Sequence, residues 1–190
     1  MFKKIWPVFI LIIILSPLIF PLFRPGFFVT DDGDWMVIRL AAFHATLRTG
    51  QFPVRYLYSL NHGFGYPVLN FNYPLPFYFG EVIHLLGFGF VDSVKILFSA
   101  SFIFSALGMY FLVTEKWGKW PGLIAAVFYS YAPYRIFDVY RRGSLGEAVA
   151  FIFMPLIFLF IKRNLPLAAL SYAALITSHN VIAFLFTPVL

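Results

Sequence analysis

The sequence predicts an all-α fold: a polytopic integral membrane bundle of helices with one large extracytoplasmic loop after the first span. Two observations carry this. Hydrophobic residues make up 61% of the 190-residue chain and charged residues only 12%, against about 45–50% and about 25% in a soluble domain. That much apolar side chain exceeds what one core hides, so lipid must solvate the rest. The apolar residues also fall in long runs separated by short polar segments, the pattern of successive spans. The 26 Phe residues and 22% aromatic content suit packing in a bilayer and anchoring at its interfaces.

The first run, about 5–23, follows Lys3 and Lys4. It is too long for a signal h-region and no small-x-small cleavage site follows, so it reads as an uncleaved anchor with the lysines in the cytoplasm. Pro7, Pro17 and Pro21 are expected to kink it. Further runs at about 94–113, 121–137, 148–161, 165–177 and 181–190 complete the expected spans. Several fall short of the roughly 20 residues that cross a bilayer, so their ends should open into a protein-lined, water-accessible cavity. The last run has no polar flank. Residues 1–190 are therefore expected to form a single membrane domain, the N-terminal part of a longer protein.

The outer loop, about 24–92, is too rich in polar groups to lie in hydrocarbon. Within it Trp35–Thr49 reads as a helix with Met36, Leu40, Phe43 and Leu47 on one stripe and Gly50 as its stop. Its apolar centre and basic flanks suit a helix lying in the interface plane. Pro74–Phe90 is a second interfacial helix or a short span. If it lies on the membrane, Lys116/Lys119 and Lys162/Arg163 face the cytoplasm with Lys3/Lys4, as the positive-inside rule favours. The 24–92 loop, the 138–147 loop and Ser178-His179-Asn180 then meet on the outer face. The net charge of +6 reports this topology; no nucleic-acid stripe is expected, because the arginines sit in Phe/Tyr/Leu text. With no Cys in the chain, thiolate chemistry is excluded. No phosphate-binding loop, dinucleotide glycine pattern or nucleophile elbow is present, and the four His lack zinc-ligand spacing.

Three groups are candidates for chemistry. Asp31, Asp32 and Asp34 precede the 35–49 helix. Capping accounts for one or two of them; three carboxylates in four residues also suit a base or, through Asp32 and Asp34, a Mg²⁺ or Mn²⁺ site. Asp138, Arg141, Arg142 and Glu147 form either local ion pairs or a guanidinium clamp on phosphate. His179 sits at an outer helix end, as a cap or as a ligand contact.

The motifs Pro25-Gly26-Phe27-Phe28, Asp31-Asp32-Gly33-Asp34-Trp35, Gly50-Gln51-Phe52-Pro53-Val54-Arg55, His62-Gly63-Phe64-Gly65-Tyr66-Pro67 and Asn72-Tyr73-Pro74-Leu75-Pro76 follow in order. Tyr131-Ala132-Pro133-Tyr134-Arg135, Arg142-Gly143-Ser144-Leu145-Gly146-Glu147 and Ser178-His179-Asn180 come after them. Together they resemble the bacterial and archaeal membrane proteins named for a "6-pyruvoyl-tetrahydropterin synthase-related domain". In that family a His often precedes the matching Asp and another follows four residues later; Asp31 and Met36 stand there in this chain. Nothing in the sequence could build the histidine zinc site of the soluble synthase. The layout is instead similar to GT-C glycosyltransferases such as aminoarabinose transferases, protein O-mannosyltransferases and oligosaccharyltransferase catalytic subunits. That resemblance implies a multi-pass cell-membrane enzyme with a cytoplasmic N-terminus, in contact with membrane lipid, that takes a polyprenyl-phosphate sugar. It makes Asp32 the base or metal-positioning carboxylate and Asp138 or Glu147 the second-loop acid. Arg39, Arg55, Arg141 and Arg142 become the candidates for the phosphate. The rival expectation is a non-enzymatic lipid or polysaccharide transporter or assembly subunit.

Overall fold

The computed structural model describes residues 6–190, all of whose regular elements are helices. Lys3 and Lys4, the expected basic flank of the first span, lie outside the described residues. Helix α1 (Trp6–Ile19) contains Pro17 and tightens into a 3₁₀ turn, Phe20–Phe23, around Pro21. It buries Leu11, Leu15, Leu18 and Leu22, while Phe9, Ile12, Ile13 and Phe20 stand exposed on its other sides. Helix α2 (Gly33–Arg48) buries Met36, Leu40 and Phe43, the stripe expected from sequence, and stops at Thr49 before Gly50 at φ +89°. Helix α3 (Leu75–Leu85) packs on α2, with Phe43 against the rings of Phe77 and Tyr78 and Glu81 Oε1 2.8 Å from His44 Nδ1. At 11 residues it is about 16 Å long. That is short of a bilayer core of about 30 Å, as are the later helices Lys119–Ser130, Leu145–Phe160 and Leu165–Ser178 at 12, 16 and 14 residues.

Helix α4 (Phe90–Trp117) is the axis of the fold. Its 28 residues extend about 42 Å, longer than the expected 94–113, and α1, α2, α3, α5 and α7 all pack on it. Gly118 at φ +90° turns the chain back into α5 (Lys119–Ser130). The expected 121–137 span is not one helix. Pro133 cannot donate a backbone hydrogen bond and disfavours helical geometry at the residue before it; Ala132 is extended at φ −53°, ψ 129°. The chain restarts as α6 (Pro133–Phe137) and a single π turn, 138–142. Helices α7 (Leu145–Phe160), α8 (Leu165–Ser178) and α9 (Asn180–Phe186) follow, each packed on the next. Two helical segments, 6–23 and 90–117, are long and apolar enough to cross a membrane, by length and composition.

The molecule has two chemically different ends. At one, Trp6 packs against Trp120 with ring centroids 5.2 Å apart and the rings tilted by 59°, and Glu115 pairs with Arg163 at 2.6 Å. This brings the turns carrying Lys116, Trp117 and Lys162 together with the start of α1. At the other end the 24–33 segment, the 57–74 segment, the 138–144 turn and the α8–α9 junction converge.

Candidate functional site

The start of α2 decides what the acidic run is for. Gly33 N–H donates to Thr30 Oγ1 at 2.9 Å, so Thr30 supplies the capping bond. Asp32 occupies the N-cap position but makes no side-chain cap bond. Its backbone is held instead: Asp31 N–H donates to Arg141 O at 2.9 Å and Asp32 N–H to Arg142 O at 2.8 Å. The two polar loops are thus tied by a pair of main-chain bonds. Gly143, in the left-handed region at φ +70°, permits this approach; a Cβ there would lie 2.7 Å from Gly33 N and from Thr30 Oγ1. Asp31 pairs with Arg141 at 3.4 Å on the surface. Asp34 is exposed in the first turn, where its charge suits the helix dipole.

Asp32 opens onto a cavity of about 780 Å³. Trp35, Ile38 and Arg39, the next turns of the same helix face, form one wall. The other wall comes from a hairpin closed by the mutual backbone bonds of Leu57 and Tyr66 (2.9 and 3.0 Å): Ser59, Asn61, His62, Phe64 and Tyr66 face the cavity. Asp32 and Arg39 line this space, and neither side chain makes a hydrogen bond or ion pair with any other described residue. Of the arginines expected at a phosphate, only Arg39 lines it. Arg55 is exposed elsewhere, Arg141 is held by Asp31, and Arg142 points into the protein.

Arg142 centres a hydrogen-bonded network whose acidic members are buried. Its Nη1 lies 3.1 Å from Asp138 Oδ1 and 2.8 Å from Glu147 Oε1, and donates to the Tyr134 hydroxyl at 3.1 Å. Tyr134 in turn donates to Glu147 Oε2 at 2.5 Å. His179 Nδ1 accepts from Ile182 N–H at 3.2 Å, which turns Nε2 toward Glu147, 3.7 Å away. Glu147 is 4% exposed and Asp138 1% exposed. Both were expected as catalytic acids, yet both oxygens of Glu147 are engaged and neither residue lines the cavity. They belong to the frame that holds Arg142, and so the carbonyl that fixes Asp32. His179 likewise serves as a helix cap and network member. Beneath them Arg135, 1% exposed, donates to Ser105 at 2.9 Å and lies over the rings of Phe102, Tyr129 and Phe151.

Tyr73 connects cavity and frame. Its ring packs 5.0 Å from that of His179. Burial raises its hydroxyl above the usual phenol range; Arg39 opposes this, while Glu147, Asp32 and Asp138 reinforce it. One side chain thus lies within electrostatic reach of both groups of charges. Tyr73 and Tyr134 carry no expectation from sequence, because phenols carry no spacing signal.

Of the carboxylates expected at a Mg²⁺ or Mn²⁺, Asp32 lines the cavity and Asp34 is exposed in the first turn of α2. Among the described residues no group of three or more His, Asp or Glu side chains gathers as a cation would need, and Asp31 is committed to Arg141.

A further groove of about 520 Å³ lies between α3, α4 and α7, walled by Phe79, Ile83, Leu97, Phe104, Ile152 and Phe153 among other apolar side chains.

No family model matches this chain, and no solved structure does. Among curated proteins it is similar to an "Uncharacterized protein" of Lactococcus lactis subsp. cremoris (strain MG1363), 27% identical over 196 residues. The match covers 95% of this chain and 32% of that protein, so the chain spans about a third of the relative's length.

Proposed function

We propose that this chain is part of a multi-pass cell-membrane glycosyltransferase of GT-C-like layout, acting at the extracytoplasmic face on a polyprenyl-phosphate sugar. The observation that carries the reading is the pairing of an unengaged carboxylate, Asp32, with an unengaged guanidinium, Arg39, on one wall of one cavity. In the proposed reaction Asp32 takes the proton of an acceptor hydroxyl, and that oxygen attacks the anomeric carbon. The bond from that carbon to the phosphate oxygen breaks, and polyprenyl phosphate leaves with the electron pair while Arg39 offsets its charge. The apolar groove between α3, α4 and α7 has the chemistry a polyprenyl chain requires.

Membrane placement draws on the exterior of the molecule. Phe9, Phe20, Phe104, Phe128, Leu170 and Phe184 are each at least half exposed, large apolar side chains that a bilayer would cover. Under the positive-inside rule the Lys116/Lys162 end faces the cytoplasm and the cavity faces outward. The resemblance to the pterin-synthase-related membrane family supports the same arrangement.

Asp32→Asn tests the site. Asn is as good an N-cap as Asp, and the side chain does no capping here, so folding should be preserved. Transfer from a polyprenyl-phosphate sugar in native membranes should fall about 10²–10⁴-fold, the usual contribution of a general base. Asp31→Asn and Asp34→Asn should retain most activity. Wild-type rates from Asp32→Asn would remove it from the reaction.

A further inference from the structure

The wall of the cavity opposite α2 carries a second set of groups. Asn61 and His62 adopt φ +53° and +56°, two consecutive non-glycine residues in the left-handed region. Asn and His enter this region more readily than most residues, yet two in succession persist only where the surroundings impose them. Here they do: Gly63 N–H and Gly65 N–H both donate to Leu60 O, at 3.2 and 2.9 Å, and Asn61 Nδ2 donates to Gly65 O at 3.3 Å. The hairpin is wound so that Asn61 and His62 border the cavity that Asp32 and Arg39 border from α2. His62 is exposed, and its imidazole makes no hydrogen bond, ion pair or ring contact with another described residue.

The cavity therefore joins three unengaged ionisable heads: one anionic, Asp32, and two that can donate to an anion, Arg39 and His62. A ligand with a phosphate and a hydroxyl sorts itself on such a set. Phosphate pairs with the guanidinium and the imidazole, which leaves the carboxylate for the hydroxyl; the reverse places two anions together. We infer that His62 is a substrate-binding residue that contacts the phosphate of a polyprenyl-phosphate ligand from the side opposite Arg39. This rests on the proposed function for the identity of the ligand. The backbone at 61–62 is the device that holds the imidazole at the cavity.

Trp35 lines the same cavity, so its fluorescence reports occupancy once Trp6, Trp117 and Trp120 are replaced by Phe. Farnesyl phosphate and farnesol serve as probes, with the protein in detergent. His62→Asn keeps a residue that tolerates the left-handed region and removes the imidazole. His62→Gly removes the imidazole and the backbone strain together, so it should be at least as thermally stable as the parent. Both should bind farnesyl phosphate about tenfold more weakly or worse, the usual loss of one hydrogen bond to a charged group. Arg39→Gln should behave alike, and farnesol binding should be unchanged throughout. If the His62 variants bind farnesyl phosphate as the parent does while Arg39→Gln fails, the inference is overturned and the proposed function stands. If the His62 variants fail while Arg39→Gln binds normally, His62 is supported and the phosphate role of Arg39 is lost. A parent chain that binds neither probe overturns both.

Discussion

Replacing Gly143 by Ala tests whether the contact between the two polar loops builds the site. The added Cβ meets two separate costs. At φ +70° an L side chain is disfavoured by about 1 kcal/mol or a little more. It would also lie 2.7 Å from Gly33 N and 2.8 Å from Gly33 Cα, backbone that can yield only by moving away as a unit. That movement strains or breaks the bonds from Asp31 N–H to Arg141 O and from Asp32 N–H to Arg142 O, each contributing about 1 kcal/mol net. The expected loss is about 3 kcal/mol. Gly50→Ala is the matched control. Gly50 is also left-handed, at φ +89°, but a Cβ there meets nothing within 4 Å, so only the first cost of about 1 kcal/mol applies. In a chain of this size 1 kcal/mol corresponds to about 2–4 °C in Tm. Gly143→Ala should therefore melt roughly 4–8 °C below Gly50→Ala in the same detergent. It should also lose farnesyl phosphate binding, because Asp32 and the start of α2 are displaced. Equal melting temperatures and equal binding for the two variants would refute the role assigned to the loop contact.

Two further outcomes follow from the same geometry. Cys introduced at Phe64, 86% exposed at the cavity end, should react with a membrane-impermeant thiol reagent in intact cells, whereas Cys at Trp120 or Lys162 should react only after permeabilisation; the opposite pattern would invert the topology. Burial, reinforced by the Glu147 charge and opposed by Arg142 and Arg135, pushes the Asp138 carboxyl up to about 8. The folded chain then holds that proton more tightly than the unfolded one, so this contribution to stability is full below the ordinary carboxylate range and is lost as pH rises toward 8. Tm in detergent should fall between pH 5 and pH 8.5 and Asp138→Asn should flatten that fall; an equal decline in the variant would exclude Asp138 as its source.

The parts of the fold that were legible in sequence are those fixed by local pattern. The stripe of Met36, Leu40 and Phe43 and the stop at Gly50 follow from helical period and from glycine's tolerance of positive φ, and both lie where expected. The 121–137 run reads as one span because hydropathy averages over a window while Pro133 acts at one bond; the proline itself is the signal of the break between α5 and α6. The site divides in the same way. Asp32 was visible because three acids in four residues exceed what capping needs, and the structure gives the cap to Thr30. Glu147 and Asp138 carried the same residue-type signal but are consumed by Arg142, a pairing set by how the π turn after α6 folds over α7. Sequence shows that a carboxylate is present; which arginine reaches it first is a tertiary fact. His62 shows the converse. Spacing rules ask whether histidines could share a metal, and this one faces the cavity alone, turned there by a hairpin that the sequence shows only as the turn-rich stretch 61–67. Asp32, Arg39 and His62 stay unengaged at the cavity while Glu147 and Asp138 pair with Arg142, a division that only the tertiary structure makes.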